Sequence, residues 1–65
     1  MEENVIGKRL VELRGNRTQK EVADAIGVFQ STYSMYERGD RIPSDEKKKR
    51  IAKYFNQTVQ TIFFD

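Results

Sequence analysis

The sequence predicts an all-α fold of five short helices, and three observations indicate it. Apolar residues recur at intervals of three and four, as at Ile6, Leu10 and Leu13, which is the period of a helix with one buried face. Helix-ending residues such as Gly27 separate these segments. A length of 65 residues supports one small hydrophobic core, so we expect a single domain over residues 1–65.

The first helix is expected from about Val5 to Arg14. Its apolar face is followed by Gly15 and Asn16, which favour a turn. The segment before it, residues 1–4, is acidic, and we expect it to be frayed.

Helices two and three are expected over Gln19–Ile26 and from Gln30 to Arg38. Thr18 and Glu21 have the spacing of a capping box at the start of helix two. Gly27 follows the last apolar residue of that helix, and glycine adopts the left-handed conformation that ends helices without a steric clash. The chain therefore bends at Gly27, and helix three begins shortly after it.

The last two helices follow Pro43, which disfavours a helical conformation in the residue before it. Ser44 can cap the fourth helix, and Asn56 can take the left-handed position that ends it. Thr58 is in position to cap a final short helix, expected from Val59 to about Phe63.

A second face of helix three is polar but mostly uncharged. A face that is merely hydrated would more often carry Glu and Lys. Amide and hydroxyl side chains match the hydrogen-bonding patterns of base edges in the major groove, and a methionine can lie against a thymine methyl group. This face therefore suits contact with double-stranded DNA through Gln30, Ser31, Ser34, Met35 and Arg38.

The spacing of helices two and three resembles the helix-turn-helix of the Cro and repressor type, the Xre-like group that includes lambdoid phage repressors. Counted from Gln19, that unit has a small residue in the fifth place, here Ala23, and a turn glycine in the ninth, here Gly27. The Glu-Arg-Gly sequence at positions 37–39 commonly ends the family's third helix. Apolar residues fill the remaining places, which are Val22, Ile26, Val28, Tyr33 and Tyr36.

This resemblance implies a five-helix, lambda-repressor-like domain that regulates transcription, as a repressor, by sequence-specific binding to a double-stranded DNA operator. Helix two would lie across the DNA backbone and helix three in the major groove. Gln30 and Ser31 would contact base edges, with Ser34 and Met35 one turn further along. Phosphates would be contacted by the first residue of helix two and by four cations, namely Gln19, Arg17, Lys20, Arg38 and Arg41.

Two further positions carry alternatives. Phe29 stands where relatives usually have a capping Ser or Thr, and its ring would either fold onto the domain or touch a thymine methyl group or a sugar. Arg14 would either form a partly buried pair with Glu37, as the resemblance implies, or remain a surface cation of little energetic weight. The pair would hold helix three at a fixed angle to helix one.

Positive charge is concentrated after helix three. Residues 38–53 carry seven basic and three acidic side chains, although the net charge of the chain is only +2. This asymmetry favours an anionic partner. Lys47 to Lys49 are interpreted chiefly as solvated side chains whose stems cover apolar surface, rather than as a phosphate-binding cluster. Asp45 and Lys48 stand where relatives carry leucine, so the start of helix four is expected to pack loosely.

The chain ends in an apolar cluster. Part of it must complete the core, and the remainder would be either a frayed end or a contact between two subunits. Because palindromic operators are bound by two recognition helices, we expect a symmetric homodimer. The predicted interface consists of Val59, Ile62, Phe63 and Phe64.

Composition argues against other classes of function. The sequence contains no Cys and no His, which removes most nucleophile–base and metal chemistry, so we expect no enzyme, no cofactor and no small-molecule substrate. No segment resembles a signal peptide or the ~20 apolar residues of a membrane span, which predicts a cytoplasmic protein without membrane contact. The remaining alternative is an antitoxin or anti-repressor that keeps this fold but acts mainly through protein–protein contacts.

Overall fold

Four α-helices and a short π-helical turn make up residues 4–64, the part of the chain that the computed structural model describes. This confirms the predicted all-α class with five helical elements. The elements are α1 (Val5–Arg14), α2 (Gln19–Ile26), α3 (Gln30–Arg38), α4 (Asp45–Tyr54) and the C-terminal turn (Gln60–Phe64).

The ends of α2 and α3 follow the local signals in the sequence. Thr18 and Glu21 form the predicted capping box, with the Thr18 hydroxyl accepting from the Glu21 N–H at 3.0 Å. Gly27 is left-handed (φ 79°, ψ 37°), and so is Gly39 at the end of α3 (φ 81°, ψ 8°). Asn56 also has a positive φ of 57°, as predicted for the residue that ends helix four.

Asn4 corrects the expectation of a frayed N-terminal segment. It is the N-cap of α1, and its side-chain oxygen accepts a hydrogen bond from the Gly7 N–H at 3.0 Å. Its side-chain nitrogen donates to the Glu37 carbonyl oxygen at 2.8 Å, which ties the start of α1 to the end of α3. A side chain at Gly7 would overlap both Asn4 and that carbonyl, so the two helices approach at a residue without a Cβ. Residues 1–3 lie outside the described part of the chain.

The core fills the space between all four helices and the C-terminal turn. Ala23 is fully buried where α2 packs on α3, as its small size predicts. Val28 is half-buried at the edge of the core. The buried apolar residues are Leu10, Val22, Ala23, Ile26, Tyr33, Tyr36, Ile51, Ala52, Phe55, Ile62 and Phe63.

The C-terminal turn differs from the predicted helix in type and in bounds. It begins one residue later than expected, and its hydrogen bonding is of the wider π type. The expected cap is present, because the Thr58 hydroxyl accepts from the Thr61 N–H at 3.0 Å. Apolar spacing alone does not separate one π-helical turn from one α-helical turn, so the sequence could not have shown this difference.

Lysine side chains at the start of α4 behave partly as expected. The Lys48 side chain is 14% exposed, and its ammonium lies 4.9 Å from the centre of the Phe64 ring. Its aliphatic stem therefore covers apolar surface, while its ammonium lies beside the exposed Phe64 ring at the edge of the domain. Asp45, by contrast, is almost fully exposed. Within residues 4–64, none of the helices combines the length and the apolar character needed to cross a membrane.

Candidate nucleic-acid interface

The outer face of α3 presents the polar stripe that the sequence predicted. Gln30 and Ser31 are exposed, and Ser34 and Met35 are half-buried, while Tyr33 on the opposite face is in the core. Within the described part of the chain, the side chains of Gln30, Ser31 and Ser34 make no hydrogen bonds. Their donors and acceptors are therefore free for an external partner.

These residues line one open groove together with the first residue of α2. The groove is bordered by Gln19, Gln30, Ser31, Ser34 and Arg38. Among the described residues, none of the side chains that line this groove is acidic. The fold therefore gathers five of the ten predicted DNA-contacting residues on a single surface, which combines amide, hydroxyl and guanidinium groups.

Gln19 is held in place by a contact that the sequence did not reveal. Its side-chain nitrogen donates a hydrogen bond to the Glu37 carboxylate at 2.9 Å. That nitrogen carries two hydrogens, so one remains for a phosphate oxygen outside the protein. The contact orients the amide before any ligand arrives.

The predicted pair between Arg14 and Glu37 is confirmed. Arg14 donates to both carboxylate oxygens, with Nε–Oε2 at 2.7 Å and Nη2–Oε1 at 3.2 Å. The Glu37 side chain is only 5% exposed and that of Arg14 is 22% exposed, so this is a partly buried bidentate pair rather than a surface one. Together with the Asn4 bond to the Glu37 carbonyl, it fixes α3 against α1 at two points.

Glu37 keeps its negative charge in this network at neutral pH. Burial alone would raise the pKa of Glu37, but hydrogen bonds from Arg14 and Gln19 outweigh it, and the pKa lies below its ordinary value. The same hydrogen bond raises the pKa of Arg14. Burial, with the nearby Glu37 carboxylate, raises the pKa of Tyr33, whose hydroxyl is buried without a hydrogen-bond partner of good geometry. Glu37 is therefore ionised and Tyr33 neutral at neutral pH.

Three of the predicted phosphate-binding cations lie on the surface. Lys20 pairs with Asp24 at 3.0 Å, and Arg38 pairs with Asp40 at 3.0 Å, in both cases with well-exposed side chains. Such pairs contribute little and exchange readily for another anion. Arg41 is exposed and has no polar partner among residues 4–64. All three cations are accessible to phosphate.

Arg17 makes internal contacts that the sequence did not reveal. Its guanidinium donates to the Leu13 carbonyl at 3.1 Å and lies over the rings of Tyr54 and Phe55, 5.4 and 5.7 Å from their centres. It therefore caps the end of α1 and packs on α4, and it does not line the groove. Its assignment as a phosphate contact stays a prediction, because the residue is exposed.

The exposure of Phe29 excludes one of the two positions that the sequence left open for its ring. Its side chain is 81% exposed, so the expectation that it folds onto the domain is wrong. As its residue type predicts, it gives α3 no side-chain cap. The ring borders a second groove, shared with Thr32, Arg41 and Lys47. Lys47 in this position was missed, because the sequence alone does not show that the start of α4 meets the loop before α3.

Burial corrects the predicted dimer interface at two residues. Ile62 is 1% exposed and Phe63 7%, so both belong to the core of this chain and have no surface to offer a partner. The reason is size, because a core this small needs its terminal apolar residues for closure. Arg9 adds a hydrogen bond to the Ile62 carbonyl at 2.9 Å. Phe64, 60% exposed, and the half-buried Val59 remain candidates for contact between subunits.

Comparison with known proteins agrees with this geometry. The helix-turn-helix family matches residues 8–62. The chain is 32% identical over 63 residues to the cryptic phage CTXphi transcriptional repressor RstR of Vibrio cholerae, a match that covers 94% of this chain and 57% of the repressor. It is 37% identical over 57 residues to an uncharacterized HTH-type transcriptional regulator of Archaeoglobus fulgidus, covering 85% of this chain and 80% of that protein.

The chain thus spans little more than half the length of the phage repressor. No solved structure matches it significantly. The family match extends from α1 to the C-terminal turn and includes both helices that border the groove. The chain therefore belongs to the helix-turn-helix family of the Cro/repressor type.

Proposed function

We propose that this chain binds double-stranded DNA sequence-specifically and represses transcription, with α3 in the major groove of its operator. One observation carries this proposal. The groove between the start of α2 and the outer face of α3 is lined by the unbonded amide and hydroxyl groups of α3, beside the Gln19 amide and the Arg38 guanidinium. Base edges are recognised by such groups, whereas a hydrated surface without a ligand has no need of them.

The residues in this groove and on the surface around it have distinct proposed roles. Gln30 and Ser31, at the N-terminal end of α3, contact base edges, and Ser34 and Met35 follow one turn along. Gln19 donates to a phosphate with the hydrogen that Glu37 does not use. Phosphate contacts by Lys20, Arg38 and Arg41 supply affinity that is independent of sequence.

Repression and dimerisation are supported by separate facts. Repression is supported by similarity to the phage repressor, although the chain spans only 57% of that protein. Dimerisation is supported by the exposed Phe64, since a two-fold axis would place two copies of α3 on the two halves of a palindrome.

Selection of bound sites from random duplex DNA tests the proposal. We expect one enriched sequence with two-fold symmetry, and we expect Gln30→Ala to lose or broaden the enrichment at one position in each half. If the parent protein enriches no sequence under conditions in which it is folded, sequence-specific binding is wrong.

A second function, through protein–protein contact, is favoured by Phe64 alone. An antitoxin or anti-repressor of this fold would use that ring to bind another protein. In a reporter assay it would lose its effect with Phe64→Ala and keep it with Gln30→Ala. The DNA-binding proposal predicts that Gln30→Ala weakens the effect.

A further inference from the structure

Phe29 is the most exposed of the large apolar side chains in the described part of the chain, at 81%. It immediately precedes Gln30, at the end of α3 that points toward base edges in helix-turn-helix proteins. Residues 4–64 leave most of the ring uncovered. An exposed aromatic ring beside a recognition helix offers a large apolar surface to an external partner.

The surroundings of Phe29 indicate what that partner is. Arg41 and Lys47 border the same groove as the ring, together with the half-buried Thr32, and none of the described acidic side chains lines it. Neither cation has an ion-pair partner among residues 4–64. An apolar ring flanked by two free cations is complementary to a base edge flanked by phosphates, and it suits an acidic or purely apolar surface less well.

We propose that Phe29 is a specificity-determining residue that contacts the 5-methyl group of a thymine, with Lys47 and Arg41 on the neighbouring phosphates. This inference rests on the proposed function and extends it by one base position and one phosphate contact. Phenylalanine offers no hydrogen bond, and the thymine methyl is the apolar group that unmodified base edges present in the major groove. The ring therefore selects thymine over the other three bases.

Replacement of thymine by deoxyuridine removes only the methyl group and tests this contact directly. In the selected operator, each thymine is replaced in turn and dissociation constants are measured for the parent protein and for Phe29→Ala. At one position per half-site we expect the parent to bind about fourfold more weakly, the factor that corresponds to ~0.8 kcal/mol for a methyl-sized group. Phe29→Ala should be insensitive to the same replacement.

Two controls accompany the deoxyuridine measurements. Val11→Ala shortens another exposed apolar side chain, which lies on α1 and does not border this groove, and should keep the full deoxyuridine sensitivity of the parent. Lys47→Ala should reduce the slope of log affinity against log salt by about 0.9 per subunit, whereas Lys49→Ala, an exposed lysine on the same helix that does not border this groove, should not.

Each other outcome overturns the inference in a recognisable way. Equal weakening of Phe29→Ala on every duplex, with no deoxyuridine effect, would place the ring on the sugar–phosphate backbone. Unchanged DNA binding by Phe29→Ala would assign the ring to a protein partner. Both results leave the proposed function standing, while failure to select any site would remove the proposed function and this inference together. Thermal melting of Phe29→Ala should match that of the parent, because the ring is solvated in the free protein.

Discussion

At the residue scale, the useful distinction is between side chains with an internal partner and side chains without one. Gln30 is exposed and unbonded, whereas Arg17 is occupied by a helix end and two aromatic rings. Both are polar residues near α2 and α3, and the sequence assigned both to DNA. Only three-dimensional packing separates them.

Gln30→Ala removes the side chain best placed for a bidentate contact to a base. We expect specific binding to weaken by ~1–3 kcal/mol and preference to relax at one base position, with binding to random DNA unchanged. Titration of both duplexes with parent and variant measures this. Equal loss on the two duplexes would assign Gln30 to the backbone instead.

Arg41→Ala should show the opposite pattern, since a phosphate contact carries no sequence information. We expect affinity for specific and random DNA to fall alike and the salt slope to decrease by about one unit. Lys53→Ala is the matched control, because Lys53 is an exposed cation near the far end of α4. An unchanged slope for Arg41→Ala would exclude Arg41 from the interface.

Prediction from sequence succeeded for residues with local roles and failed for those with distant partners. Thr18 and Gly27 act within a few residues, so their roles were predicted. Asn4 contacts Glu37 across 33 positions, and no local pattern indicates such a bond. Gln19 was assigned to the interface, but its orienting contact with Glu37, 18 positions away, was not foreseen.

At the scale of elements, the position of α3 depends on close packing against α2. Ala23→Leu inserts three carbon atoms where Ala23 is fully buried, and overpacking typically costs ~1–3 kcal/mol. Ala25→Leu is the control, because Ala25 lies on the exposed side of the same helix. Thermal melting should show a large decrease for Ala23→Leu and little change for Ala25→Leu. Equal melting temperatures for the parent and Ala23→Leu would contradict the packing described for these helices.

The contact between α1 and α3 predicts a dependence of stability on pH. The pKa of Glu37 is lowered in the folded protein, so its contribution is present above the ordinary value of 4.5 and is lost as pH falls through the lowered pKa. Glu37→Gln should therefore destabilise the protein at pH 7 by ~1–3 kcal/mol, and the difference from the parent should shrink in acid. Chemical denaturation between pH 7 and pH 3 measures this.

Glu12→Gln provides the comparison for that series, because Glu12 is exposed on α1. It should leave the stability difference near zero across the whole range. A constant difference for Glu37→Gln would mean that the charge of Glu37 contributes nothing beyond its shape and hydrogen bonds.

Helix bounds were predictable here because each helix begins and ends with its own signal. The start of α3 has no capping side chain, because its N-cap residue is Phe29. Gly27 nevertheless marks the position at which the chain turns. The C-terminal turn was predicted in place but not in type. Its burial of two consecutive residues, Ile62 and Phe63, is a property of the whole core and not of the local sequence.

At the scale of the whole molecule, the fold class and the family followed from the sequence, but which of the C-terminal apolar residues are buried did not. Four apolar residues near the C-terminus looked equivalent, yet two of them complete the core. Which apolar residues are buried in a small core depends on the volume that the packed helices leave to be filled. The linear order of apolar residues does not give that volume.

Phe64→Glu tests the proposed homodimer at the residue that remains exposed. A carboxylate there would oppose an apolar contact between subunits, while the nearby Lys48 ammonium would tolerate it in the monomer. We expect the sedimenting species to change from dimer to monomer and operator affinity to fall sharply. We also expect α3 to remain folded. Phe64→Leu should remain dimeric. A parent protein that is monomeric both alone and on its operator would contradict the homodimer.

Discrimination between DNA sequences by α3 is tested most directly by one ratio, the dissociation constant for scrambled duplex divided by that for the selected duplex, at a fixed salt concentration. We predict a ratio of at least about 10³ for the parent protein, the lower end of the range for specific regulators. A ratio near one for the folded parent would contradict sequence-specific recognition by the groove between α2 and α3.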